Sequence, residues 1–202
     1  MRIKNNQAGL TLVEILVAVS IFSLLAVVVS GIYVAFSNAQ ARATRAQRLL
    51  NDSQFALVGM AREIRNNQLY YGFGLTPANC NAEIQPEPDI TVDTCIFLLK
   101  NDGTIVAFAK ETGSNKLDYL VKNSTTKVWT VTGFVFNDGD EGVIIDNLNF
   151  VYAPLTDPSI EGNANQQPLV MIQFKVSTAD TNIYKKVSYN LQTSVSSRIY
   201  KR

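Results

Sequence analysis

The feature that most constrains this chain is residues 10–36, LTLVEILVAVSIFSLLAVVVSGIYVAF, 27 residues in which Glu14 is the sole charged side chain. As a helix the run would extend about 40 Å, more than the roughly 30 Å of a bilayer's hydrocarbon core, so it is expected to span a membrane. A cleavable export signal has an apolar core of only about 7 to 15 residues. This run is longer, although Ala39-Gln40-Ala41 beyond it mimics a cleavage site. Residues 1–9, MRIKNNQAG, are polar, carry Arg2 and Lys4, and close on Gly9.

Arg42, Arg45 and Arg48 follow the span, so counting basic residues near its ends does not favour a cytoplasmic N-terminus. Long domains nevertheless translocate largely regardless of flanking charge, and the two cysteines suit an oxidising compartment. The expected placement is the cytoplasmic (inner) membrane, crossed once, with the C-terminal domain outside.

Glu14 needs a physical reason. A carboxylate deep in a membrane helix costs about 2.5 to 3.5 kcal/mol on insertion scales. Either it lies shallow enough to reach cytosolic water, or a cation compensates it.

Composition removes most catalytic designs. The 202 residues contain no histidine and two cysteines, which excludes Ser-His-Asp and Cys-His nucleophiles and any four-ligand Cys/His metal site. The formal charge is +1, so the basic excess that collects nucleic-acid phosphates is missing and no nucleic-acid contact is expected. No cofactor is implied.

A short basic leader, Gly9, then Leu10-Thr11-Leu12-Val13-Glu14 and an unbroken apolar helix resemble the prepilin class: type IV pilins, minor pilins and the pseudopilins of type II secretion. The resemblance implies that a prepilin peptidase cuts between Gly9 and Leu10 and methylates the new amine of Leu10, where phenylalanine is usual in the family. It implies further that Glu14 meets the liberated amine of a neighbouring subunit. A buried ion pair adds little net stability, but losing one partner costs about 3 to 5 kcal/mol, so such a pair sets stagger more than strength. The implied partners are other pilin or pseudopilin subunits, the peptidase, an inner-membrane assembly platform and the membrane itself. Gly31 lies where major pilins often carry a proline. Cleavage would leave 193 residues, a size resembling minor pilins or the J-type pseudopilin.

Residues 37–67 contain no proline and are rich in helix formers. Ala39, Ala43, Ala46, Leu50, Ser53, Leu57, Met60 and Ile64 follow one another in steps of three and four, which predicts one apolar face. Leu50, Leu57, Met60 and Ile64 are expected to dock on the chain's own sheet, and the alanine-rich part before them to suit packing between subunits.

After Gly72, Gly74 and Pro77 the helical period gives way to β-branched and aromatic runs at 95–100, 105–110, 117–122, 128–131, 143–152, 169–177 and 183–197. Asn101-Asp102-Gly103 is a hairpin turn signal. The expected fold is α+β: a long helix whose second half packs on an antiparallel β-sheet. The organisation expected is leader 1–9, membrane and assembly helix 10–36, amphipathic continuation 37–67 and an extracytoplasmic β-rich domain 68–202. Trp129 is expected in the core.

Cys80 and Cys95 flank a Pro-rich acidic segment. A disulfide between them, the expected state, closes a loop worth about 3 kcal/mol; the alternative is two unpaired thiols. In Asn137-Asp138-Gly139-Asp140-Glu141-Gly142, the residues Asp138, Asp140 and Glu141 are weak calcium candidates with Asp146 close by. The spacing does not match the twelve-residue calcium loop, and the same residues make a solvated turn, which is the expectation. Residues 161–167 read as a polar surface loop.

Three function classes stand at this point. The leading one is a minor pilin or pseudopilin subunit that acts by assembly and not as an enzyme. The second is a signal-anchored extracytoplasmic binding module whose helix is only a tether. The third, an exported enzyme using two carboxylates, has no acidic pair that stands out from turn and surface positions.

Overall fold

The structure is a computed structural model that describes residues 11–74, 77–84, 92–113, 117–136, 143–158, 166–179 and 186–198. By internal contacts the chain forms two units, Met1–Thr44 and Arg45–Arg202. A single helix, α1 (Leu12–Asn66), supplies residues to both. In the first unit every described side chain is exposed.

The second unit contains the remainder of α1, then β1 (Gln68–Leu69), α2 (Pro77–Glu83), β2 (Val92–Leu99), β3 (Ile105–Glu111), β4 (Leu117–Lys122), β5 (Trp129–Phe136), β6 (Val143–Ala153), β7 (Leu169–Thr178) and β8 (Ser188–Ser196). All pairings are antiparallel, and the α+β class stands as expected. The strands divide, however, into two sheets ordered β1-β2-β3-β4-β5 and β6-β7-β8, where one was expected. Alternation within a strand reports which residues share a face, not which sheet the strand joins.

Within this unit α1 buries Leu49, Ser53, Ala56, Met60 and Ile64. Met60 and Ile64 dock as expected, but Leu50 and Leu57 are only half-buried. At about 100° per residue the line through Leu49 and Ala56 is one position round from the expected one. Ser53 and Ala56 are buried on this line, and the larger Leu50 and Leu57 lie beside it. Ser53 satisfies its hydroxyl by donating to the Leu49 carbonyl. The main core joins α1 to both sheets through Ile96, Leu98, Val106 and Phe108 on one side and Phe150, Ile172, Phe174 and Val176 on the other.

A second, smaller core covers the opposite face of the five-stranded sheet. It gathers Cys80, Ile84, Val92, Cys95, Phe97, Leu120 and Trp129, so Trp129 is a core residue as expected. Two-sided cover explains why Cys95-Ile96-Phe97-Leu98 is apolar without alternation: odd positions face one core and even positions the other. The β2–β3 turn is the expected one. Gly103 sits at φ 84°, in the left-handed region that glycine enters without a Cβ penalty. Asp102 Oδ1 accepts the Thr104 amide at 2.8 Å.

Two elements escaped the sequence reading, β1 and α2. Three strands differ in extent by several residues. The one expected at 95–100 runs as Val92–Leu99. The segment expected at 128–131 continues to Phe136. The one expected at 183–197 runs as Ser188–Ser196, with Lys186 and Val187 outside it.

Candidate functional site

Glu14 lies in the first turn of α1, and its environment is set locally. Thr11 precedes the helix and its amide and hydroxyl both donate to Glu14 Oε2, each at 2.9 Å. The Glu14 amide returns a bond to Thr11 Oγ1 at 3.3 Å. Together these form a reciprocal capping box, which satisfies otherwise orphaned amides at the helix start and places a negative charge at the positive end of the helix dipole. The Thr-x-x-Glu spacing carried that signal, which an argument from charge alone overlooks. The pair uses only one carboxylate oxygen. Among the described residues Oε1 accepts no hydrogen bond, and Glu14 is exposed.

The remainder of the segment is built for apolar surroundings. Leu12, Phe22 and Val27 are each more than 70% exposed, and none of the most apolar 18-residue window of α1 is buried. By length and composition α1 can cross a membrane. The three serine hydroxyls of residues 10–36 turn inward on the helix. Ser20 donates to the Leu16 carbonyl at 2.8 Å, Ser23 to Val19 at 2.8 Å and Ser30 to Ala26 at 2.7 Å. Each therefore has a partner without water. Gly31 is helical, and a Cβ there would meet nothing within 4 Å.

Residues 4–30 match the family model described as the prokaryotic N-terminal methylation motif. The chain is type IV prepilin-like. The matched segment contains Gly9, Leu10 and Glu14 in the register that the sequence alone suggested. No curated protein and no solved structure matches this prepilin-like chain.

Gly9 and Leu10 lie outside the described residues. Cys80 and Cys95 are joined in the expected disulfide, with Cα atoms 5.8 Å apart. The bond ties α2 to β2. Two further links hold the same layer: Asn81 Oδ1 accepts the Val92 amide, and Lys122 Nζ pairs with Glu83 Oε1. The Lys122 ammonium also lies 4.2 Å from the Phe73 ring centroid and 5.4 Å from that of Trp129. This cation–aromatic cluster was not foreseen, because its members are scattered in sequence.

The calcium candidates Asp138, Asp140 and Glu141 lie outside the described residues. Among the described residues no group of three or more acidic, Cys or His side chains could hold a metal ion. Asp146, the neighbouring carboxylate, accepts the Ser177 hydroxyl at 3.0 Å.

Proposed function

We propose that this prepilin-like protein is a minor subunit of a type IV pilus or of a type II secretion pseudopilus. In this reading a prepilin peptidase cuts between Gly9 and Leu10 on the cytoplasmic side and methylates the amine of Leu10. The protein then waits in the inner membrane with residues 68–202 outside, and an assembly platform moves it into a filament. Its role is structural: assembly and display.

The observation that carries this reading is the half-used carboxylate of Glu14. The capping box occupies Oε2 and leaves Oε1 for a second donor. In the otherwise uncharged segment 10–36, a neighbouring subunit's Leu10 amine supplies both the donor and the compensating charge. The capping box also favours the competing reading, a tethered extracytoplasmic module, since it gives the acid a use within one chain.

Two substitutions separate them, made in a host that carries the remaining filament genes. Glu14→Gln keeps a side chain able to cap but removes the charge. Thr11→Val removes the side-chain half of the cap but keeps the charge. For a subunit, Glu14→Gln abolishes incorporation into sheared filaments and Thr11→Val leaves it largely intact. Filaments that form normally with Glu14→Gln would sink the proposal. Mass spectrometry of membrane-derived protein is expected to show loss of residues 1–9 and one added methyl group on Leu10.

A further inference from the structure

Four strands end the two sheets, and three of them carry a device that discourages a further strand. β1 is two residues long. β5 meets β4 through register shifts at Leu117/Asp118 and Tyr119/Leu120. β6 is shifted between Ile145 and Asn147, with Asp146 at the irregular position. Shortness, bulges and charge are the usual guards of exposed edges.

β8 has none of these. Its nine residues, SYNLQTSVS, pair with β7 from Ser188 to Ser196 without a shift and include neither charge nor proline. The row of side chains turned toward the core is incompletely covered there: Tyr189, Leu191 and Thr193 are half-buried, whereas Ile172 and Phe174 of β7 are buried. Among the described residues, backbone bonds to other parts of the chain resume only past the strand's end, from the Ser197 amide to Pro168 and the Arg198 amide to Arg65. One long, regular edge is thus left open, with an apolar row that an added strand would finish covering.

Charge selects the occupant. Exposed Lys186 stands just before the strand and exposed Arg198 just after it. If two β8 strands paired antiparallel about Gln192, Lys186 of each copy would face Arg198 of the other, placing like charges together at both ends. That arrangement is disfavoured. We propose that β8 receives an extended segment of a partner protein by strand addition. The segment is uncharged over roughly the nine residues it pairs, apolar at alternate positions, and acidic at each end. Main-chain bonds supply affinity, and the terminal carboxylates supply selectivity.

The test uses the full chain in detergent micelles and a fluorescent synthetic peptide of nine alternating Val and Thr residues with one Asp at each end. A second peptide carries Lys at both ends. The Asp-ended peptide is expected to bind about tenfold or more tightly than the Lys-ended one and to slow amide hydrogen exchange specifically in residues 188–196. The paired exposed substitutions Lys186→Glu and Arg198→Glu should reverse the preference between peptides. Equal binding of both peptides, or protection elsewhere than in β8, would overturn the proposal. So would failure of the Asp-ended peptide to bind, or self-association of the wild-type chain through β8. Leader processing and the Glu14 substitutions do not bear on this result, so it stands or falls apart from the assembly reading.

Discussion

The hydroxyl of Tyr152 donates to the carbonyl of Cys95 at 2.9 Å, joining β6 of one sheet to β2 of the other. Burial pushes the Tyr152 phenol well above its ordinary pKa, so the bond persists across the accessible alkaline range. Tyr152→Phe keeps the ring in the core and removes only this link. The expected loss is about 1 kcal/mol of unfolding free energy, read from the denaturant midpoint of the full chain in detergent.

Replacing both Cys80 and Cys95 by Ala opens a 15-residue separation that the disulfide now closes. The chain-entropy estimate for such a loop is about 3 kcal/mol. Fluorescence of Trp129, the single tryptophan, sits in the affected core and reports the unfolding directly. A midpoint unchanged by the double substitution would show that the remaining links suffice to hold α2 on the sheet.

Lys122 serves two partners at once, the Glu83 carboxylate and the rings of Phe73 and Trp129. Lys122→Met preserves the aliphatic stem but removes the charge. The expected cost is about 1 to 2 kcal/mol, part from the cation–aromatic contact and part from leaving Glu83 unpaired in a partly covered site. The Trp129 emission maximum should shift as its neighbour changes.

Asp93 gives the acid response a definite sign. The hydrogen bond from Lys110 holds its carboxyl below the ordinary range; partial burial opposes this, and the Thr112 hydroxyl adds to the lowering. Lys110 Nζ lies 2.7 Å from Asp93 Oδ2. A depressed folded-state pKa contributes stability above the unfolded value of about 3.9, and that contribution fades as pH falls through the folded value. Asp93→Asn should lower stability at neutral pH and flatten the decline below about pH 4. Equilibrium unfolding of the two proteins across that range tests it, and parallel curves would refute it.

What the sequence disclosed depended on how local the information was. The course of α1 was legible because its long run lacks proline and its apolar spacing is helical. The turn at Asn101-Asp102-Gly103 was legible because Gly103 must adopt positive φ. α2 was missed because seven residues, PANCNAE, hold too little periodicity to announce a helix. Ser53, Met60 and Ile64 are buried on the expected line of α1, while Leu49 and Ala56 are buried where their neighbours Leu50 and Leu57 were expected. The division into two sheets depends on pairings between distant strands, which no short window records. At the candidate site, Glu14 stood out at once by its charge, while its bond to Thr11 lay in a three-residue spacing that charge obscures.

The serines at 20, 23 and 30 give their protons to carbonyls one turn back along α1. Such a rod asks nothing polar of whatever encloses its middle. Under the proposed assembly, exchanging acyl chains for the flanks of sibling helices would require none of these three serines to find a new acceptor.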